Sequence, residues 1–295
     1  MTRDQAHQLR TLVEASRQEV AMDTRQQKQA TRVIAVSSGK GGVGKTNLVA
    51  NLGITLAMAG CQTMILDADL GLANIDVVLG IAPQFTLAHV LAKQKSISDV
   101  IVEGPHKVRV IPGGFGLAGL ADLPSSSREE LIESLSDLDG MFDILLIDTS
   151  PGISPNVLRF ILAAGEVIVV TTTEPTAMTD AYALIKVVSQ QSRRVAIKLL
   201  VNMADEPREA NEVIRTLTEV SKRFLGVQVK SYGHLPSDIS LSRAVKKQVP
   251  LVLAFPYAAL SRSFFALGEK VLADDQNEEA PKGARQFLWR MSTTP

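Results

Sequence analysis

The stretch SSGKGGVGKTN, residues 37–47, decides the fold of this chain. It contains the spacing G-x-x-x-x-G-K-T, which is the pattern of a phosphate-binding loop. An apolar run at 32–36 precedes it, and a helical pattern at 45–59 follows it. In a glycine-rich turn between a strand and a helix, the backbone N–H groups point inward at a common position. The positive end of the helix points at the same position. We therefore expect this loop to bind the phosphates of a nucleotide.

Each residue type in the loop has an expected task. Lys45 should reach the β- and γ-phosphates, and the Thr46 hydroxyl should ligate Mg²⁺. The backbone between them should wrap around the phosphate oxygens. The predicted phosphate-binding residues are Gly39, Lys40, Gly41, Gly42, Val43, Gly44, Lys45, Thr46 and Asn47.

Apolar runs and helical patterns alternate along the rest of the chain. Runs rich in Val, Ile and Leu that are separated by helices predict a mostly parallel sheet with helices on both faces, which is the α/β fold of a P-loop NTPase. The expected strands are 32–36, 63–66, 108–111, 143–148, 166–172 and 195–202. The expected helices are 45–59, 127–138, 154–163, 176–191, 207–223 and 256–272.

Carboxylates follow two of these predicted strands. Asp148 ends the run DILLID, where a carboxylate can hold the water shell of Mg²⁺. Asp67 and Asp69 end the strand after the loop helix, and their spacing puts both on one face of an extended chain. We expect Asp148 to support the metal. Of Asp67 and Asp69, one should support the metal and the other orient the attacking water, and our assignment is Asp67 to the metal and Asp69, with Lys45, to catalysis.

Composition excludes several classes of protein. Lys plus Arg and Asp plus Glu both number 31, so net charge gives no support for direct nucleic-acid binding. One cysteine, Cys61, excludes a disulfide framework and argues against an iron–sulfur reductase. No apolar run approaches the roughly 20 residues that span a bilayer, and the N-terminus does not resemble a secretory signal. We expect a cytoplasmic protein.

The second lysine of the loop, Lys40, gives the first specific resemblance. The sequence KGGVGKT is similar to the deviant Walker A motif of the MinD/ParA family of ATPases, and Lys40 matches its signature lysine. The resemblance implies a dimer in which two chains enclose two ATP molecules and Lys40 reaches the partner's phosphates. DADLG and DTSPG resemble the two switch segments of that family. Binding and hydrolysis would then depend on dimerisation, and turnover would be slow.

The resemblance covers roughly residues 32–272 and also suggests a base site. Asn202 lies at a strand end, where its amide could read the adenine edge. The segment GHLPSD resembles the loop that closes over the base, through Pro236, Ser237 and Asp238. Adenine is favoured over guanine because the sequence has no N-K-x-D stretch. The implied ligands are ATP and Mg²⁺.

The N-terminal segment DQAHQLR resembles the D-Q-A-x-x-L-R motif of one branch of the family, the FlhG (FleN) regulators of flagellar number. As a helix it would carry an apolar stripe suited to a partner's groove. The resemblance implies stimulation of the GTPase FlhF, with Gln5 inserted toward its nucleotide. It also implies contacts with a flagellar transcription activator and with motor switch proteins. The predicted partner-binding residues are Asp4, Gln5, Ala6, Leu9 and Arg10.

The C-terminal segment KGARQFLWRM, residues 282–291, predicts a short basic amphipathic helix. It is similar in kind to the membrane-targeting tails of MinD and FlhG. Two tails on one dimer would bind a membrane by avidity, so ATP could control reversible contact with the inner face of the cell membrane. This contact could be at a pole of the cell. The alternative is that the tail packs on its own domain or is disordered. The predicted membrane-facing residues are Phe287, Leu288, Trp289 and Met291.

These patterns divide the chain into three parts: a partner-binding helix and linker at 1–31, an ATPase domain at 32–272, and an acidic linker with the tail at 273–295. The favoured function is an ATP-gated dimeric switch that sets the number and placement of flagella. A MinD-like division-site ATPase and a ParA-like DNA-segregation ATPase are the alternatives. A binding module without turnover is a further alternative.

Overall fold

Among the described residues, eight strands form one sheet at the centre of the fold. The computed structural model describes residues 31–69, 74–113, 138, 140–274 and 283–293. The strand order is β3-β4-β2-β5-β1-β6-β7-β8, and every pairing is parallel except that of β3 with β4. The strands are β1 (Arg32–Ser37), β2 (Thr63–Ala68), β3 (Val102–Glu103), β4 (Arg109–Ile111), β5 (Ile144–Thr149), β6 (Glu166–Thr171), β7 (Ala196–Ala204) and β8 (Val229–Pro236). The predicted α/β P-loop fold is confirmed.

Helices cover both faces of this sheet. In β1, Val33 and Ala35 face one apolar cluster, whereas Ile34 and Val36 face the other. Burial on both faces explains why the strands are continuous apolar runs without alternation. The α-helices are α1 (Lys45–Met58), α2 (Ile75–Leu79), α3 (Leu87–Leu91), α4 (Ile97–Val100), α5 (Pro155–Ala164), α6 (Pro175–Gln191), α7 (Pro207–Val220), α8 (Ile239–Lys246), α9 (Leu251–Ala254), α10 (Ala259–Ala273) and α11 (Ala284–Thr293).

Two strands were not predicted from the sequence. β8 was expected to be a loop in its second half, yet it pairs with β7 and forms one end of the sheet. Gly233, at φ 91°, interrupts its pattern, and an end strand needs fewer buried side chains. β3 is a two-residue antiparallel strand at the other end. The predicted helix at 127–138 lies outside the described residues, apart from Leu138 itself.

The C-terminal helix α11 packs against α5 of the same chain. Phe287, predicted to face a membrane, is only 1% exposed and belongs to the apolar cluster on that face of the sheet. Met291 is partly buried against the same cluster, whereas Trp289 is 58% exposed. A large apolar side chain is more stable in an apolar groove than in water, which is the physical reason for docking. No helix among the described residues is long and apolar enough to cross a bilayer.

Candidate nucleotide site

The predicted phosphate loop joins β1 to α1 at the carboxyl edge of the sheet. Gly42 and Gly44 have φ angles of 80° and 86°, in the left-handed region that favours glycine. A Cβ atom on Gly44 would also lie 2.6 Å from the Asn202 amide nitrogen. Because α1 begins at Lys45, the positive end of a 14-residue helix points at the loop. This geometry suits an anionic ligand.

Lys45 points into the loop and away from solvent. Its ammonium group donates a 2.8 Å hydrogen bond to Ser38 Oγ, and Ser38 Oγ donates to the Lys40 carbonyl oxygen at 2.7 Å. Burial lowers the pKa of Lys45, while Asp148 and Asp69 act in the opposite direction. The lysine is therefore held by a neutral hydroxyl at the centre of the loop, where a phosphate could replace that contact.

Asp148 and Thr46 form the candidate magnesium position. Asp148 is 1% exposed, and its Oδ1 atom has no hydrogen-bond partner among the described residues. Burial raises its pKa to about 7, although a hydrogen bond with the Thr46 side chain lowers it. A buried carboxylate oxygen without a partner, beside a hydroxyl, fits the oxygen donors and water that Mg²⁺ prefers. The residues present therefore fit this metal.

Asp67 lies beside Asp148, because the two are register partners in the pairing of β2 with β5. Asp67 Oδ1 accepts a 3.0 Å hydrogen bond from the Asp69 N–H, and Oδ2 accepts one of 3.5 Å from the Ile75 N–H. Burial raises its pKa to about 6 in spite of these bonds. Both oxygens thus brace the two ends of the segment that follows β2. A contact with a metal-bound water stays a prediction.

The segment after β5 connects the other parts of the site. Ser150 Oγ donates a 2.8 Å hydrogen bond to Asp69 Oδ1. Thr149 Oγ1 donates to the Val36 carbonyl at 2.9 Å, and the Gly152 N–H donates to the Ser38 carbonyl at 2.8 Å. The phosphate loop and both predicted switch segments are therefore hydrogen-bonded to one another.

Lys40 points in another direction from Lys45. Its ammonium group lies 2.6 Å from Glu174 Oε2 and donates to Thr176 Oγ1 at 3.0 Å, both at the start of α6. The side chain of Lys40 is 39% exposed and that of Glu174 is 64% exposed. An exposed ion pair of this kind contributes about 0–1 kcal/mol. Lys40 thus lies on the rim of the site and is held there by a weak contact.

The predicted base-reading residues perform structural tasks in this structure. The Asn202 amide donates a 2.8 Å hydrogen bond to the Val43 carbonyl, which braces the phosphate loop. Asp238 caps α8 by accepting from the Ser240 N–H at 2.8 Å, and it also accepts from the Leu260 N–H at 3.3 Å. Pro236 is the last residue of β8 and Ser237 follows it, so both lie at the carboxyl edge of the sheet, as the phosphate loop does. Their contacts with adenine stay predictions.

Some residues of the site were not predicted from the sequence, and some predicted residues lie outside the described part of the chain. Ser38, Ser150 and Glu174 complete the contacts described above, but nothing in the sequence distinguishes them from ordinary loop residues. Among the described residues, no group of three or more His, Cys, Asp or Glu side chains could hold a metal ion alone. The N-terminal residues Asp4, Gln5, Ala6, Leu9 and Arg10, and the side chain of Leu288, lie outside the described residues.

Comparison with known proteins agrees with this geometry. Residues 31–201 match the family described as the AAA domain. The antiactivator FleN of Pseudomonas aeruginosa is 43% identical over 240 residues, which cover 81% of this chain and 86% of FleN. The flagellum site-determining protein YlxH of Helicobacter pylori is 31% identical over 268 residues, which cover 88% of this chain and 90% of YlxH.

A solved structure gives the same result for the fold. The septum site-determining protein MinD from Pyrococcus horikoshii, complexed with Mg-ADP, superposes with a TM-score of 0.65 at 26% identity. The superposition covers 82% of this chain and 96% of that one.

Proposed function

This chain belongs to the FlhG/FleN branch of the MinD/ParA family of P-loop ATPases, and from that premise we propose that it hydrolyses ATP as a face-to-face homodimer to regulate flagellar number and placement. The observation that carries the proposal is the different placement of the two loop lysines. Lys45 is buried inside its own loop, whereas Lys40 is partly exposed on the rim. A rim lysine is available to a second chain.

Within one chain, the residues at the carboxyl edge would hold and orient ATP. Lys45 and the loop N–H groups would bind the β- and γ-phosphates. Thr46, and Asp148 through water, would hold Mg²⁺, which supplies positive charge against the phosphate oxygens. Asp69 would hold the attacking water in line, with Ser150 fixing the position of its carboxylate.

The second chain would complete this site. Lys40 would leave Glu174 and Thr176 and place its ammonium group against the γ-phosphate of the partner's ATP. The contact is much like an arginine finger supplied in trans. The exchange is feasible because the pair it breaks is exposed and weak. Hydrolysis would then require a dimer. The two chains would therefore change between the ATP-bound and ADP-bound states together.

The test is ATPase activity per chain as a function of protein concentration. We expect the specific activity of the wild type to rise with concentration and the ATP-bound form to be a dimer by light scattering. Specific activity that is independent of concentration in a protein that stays monomeric with ATP would refute the proposal.

The N-terminal segment suggests the partner. We propose that residues 4–10 bind an FlhF-type GTPase, with Gln5 directed at its nucleotide, and that the ATPase domain contacts flagellar transcription and motor switch proteins. A peptide of residues 1–25 should stimulate the GTPase of FlhF, and the same peptide with Gln5→Ala should not. Equal stimulation by both would remove Gln5 from this role. No stimulation by either would favour the division-site and the DNA-segregation alternatives equally.

The tail suggests how ATP could control location. α11 packs on α5, and α5 begins at Pro155, three residues after Gly152 of the second switch segment. We propose that the protein is cytoplasmic with α11 docked, and that rearrangement of this segment on ATP binding releases α11 to the inner face of the membrane. Vesicle sedimentation with ATP and with ADP tests this step. Equal sedimentation in both states would contradict it.

A further inference from the structure

A cavity of about 450 Å³ lies beside β7 and β8, at the end of the sheet that β8 forms. It is formed by the first residues of β7 and β8 and by the end of α7, so it opens at the amino edge of two parallel strands. Nucleotide-binding segments follow the carboxyl edge. The lysine cavity, defined by Lys198, Lys222 and Lys230, has apolar walls that include Ile197 and Val229.

Two of these lysines, Lys198 and Lys230, already bind one carboxylate, that of Asp274, which lies outside the lining of the cavity. Lys198 Nζ donates to Asp274 Oδ2 at 2.6 Å, Lys230 donates to Asp274 Oδ1, and the Tyr232 hydroxyl donates to Oδ2 at 2.7 Å. Burial alone would raise the pKa of Asp274, but these bonds hold it well below its usual range. The lysines are therefore arranged to stabilise an ionised carboxylate.

Positive charge remains after this internal pairing. Arg32 and Glu166 form a buried ion pair at 2.6 Å, and Arg32 lies 4.0 Å from Asp274. Together with the three lysines of the cavity, these groups make four cations and two carboxylates. Lys222 has no ion pair among the described residues, and no acidic side chain lines the cavity. Lys222 and the half-exposed Lys230 are therefore the cations with which a ligand in the cavity could pair, in a chain whose net charge is zero.

We propose that the lysine cavity binds a short acidic peptide segment of a partner protein. Carboxylates of the segment would pair with Lys222 and with the half-exposed Lys230, and an apolar side chain would lie over Ile197 and Val229. The volume exceeds that of a single phosphate ion and suits a few side chains. This binding needs neither the nucleotide nor dimerisation.

The probe is a fluorescein-labelled decapeptide with six glutamates around one leucine and one isoleucine, measured by fluorescence anisotropy with the full-length protein. Lys222→Glu should weaken binding at least about fivefold, because it replaces an attraction by a repulsion at an exposed position. Lys230→Glu should act in the same direction. Binding should also weaken as salt rises. Both positions are exposed enough for the variants to fold, which thermal unfolding checks.

The matched control is Lys107→Glu, an exposed lysine beside the opposite end of the sheet. It changes net charge equally and should leave binding unchanged. The same peptide with glutamine in place of glutamate should bind weakly. Equal loss in Lys222→Glu and Lys107→Glu, or no binding of the glutamate peptide, would overturn the proposal. Loss of sedimentation with phosphatidylglycerol vesicles in Lys222→Glu, with peptide binding intact, would overturn it in favour of a lipid surface.

Discussion

Ser150 donates a hydrogen bond of 2.8 Å to Asp69, which joins the segment after β5 to the segment after β2. Asp69 also donates its N–H to Asp67, the register partner of Asp148. A displacement of either segment therefore changes the position of the carboxylate that we assign to the attacking water. Coupled loops of this kind are a common way to make catalysis depend on conformation.

Asp69→Asn should bind ATP and lose turnover. The amide keeps the size of the side chain but cannot hold the water as a carboxylate does, so we expect the rate to fall at least about a hundredfold. Ser150→Ala should cost less, because it removes one hydrogen bond to the carboxylate and leaves the carboxylate itself in place. Steady-state phosphate release, with ATP affinity measured separately, tests both variants. Near-normal turnover in Asp69→Asn would assign the water to another group.

Lys40→Ala should bind ATP through Lys45 and remain a monomer. The substitution removes the charge that we place on the partner's phosphate, whereas the contacts of Lys45 stay intact. Light scattering with ATP is the measurement, and Lys107→Ala, an exposed lysine outside the site, is the control. A stable ATP-dependent dimer of Lys40→Ala, matching the control, would contradict the role in trans.

The stability of the nucleotide-free protein should fall as pH rises from about 5 to 7. An unfolded aspartate has a pKa near 3.9, while burial raises the pKa of Asp148 to about 7 and that of Asp67 to about 6. Between these values the folded state binds more protons than the unfolded state, so raising the pH favours unfolding. Asp148→Asn should flatten the slope. Thermal unfolding with a chelator measures it, and an unchanged slope would contradict the assignment.

Loosening the groove should expose the tail. Leu162, on α5, is partly buried against the cluster that contains Phe287. Leu162→Lys should raise the fraction bound to vesicles with ADP by up to about tenfold, because burial of one large side chain contributes roughly 1.5 kcal/mol or more. Adding Phe287→Ser to this variant should abolish the gain. An unchanged ADP-state fraction in Leu162→Lys would show that docking does not limit membrane contact.

Five strands at the site were predicted accurately, because each of them is a buried apolar run in the sequence. β1, β2, β5, β6 and β7 begin and end within two residues of the predicted bounds. The helix expected at 256–272 is present as α10, and its apolar stripe is buried at Leu260, Phe264, Leu267 and Val271. β8 was missed because it is half exposed and interrupted by glycine. A strand that is buried on both faces is a continuous apolar run, which is easy to recognise in a sequence. A strand that is buried on one face has fewer apolar residues and is harder to recognise.

The site also contains residues that the sequence predicted and residues that it could not predict. Motif spacing brought the loop, Asp67, Asp69 and Asp148 together at one edge, because carboxyl ends of parallel strands meet there. Glu174 could not be predicted, since its contact with Lys40 depends on where α6 begins in space. Docking of Phe287 was equally hidden. Its stripe fits a membrane and a protein groove alike, and only the folded surface of α5 distinguishes them.

Mixing two inactive variants tests the central claim most directly. Asp69→Ala retains Lys40 but should not hydrolyse its own ATP, and Lys40→Ala retains Asp69 but should lack the partner's contact. In a 1:1 mixture, the Asp69→Ala chain should supply Lys40 to the site of the other chain. Because each mixed dimer contains one complete site, the mixture should be active at up to roughly half of the wild-type ATPase rate. A mixture no more active than either variant alone would contradict the action of Lys40 across the dimer.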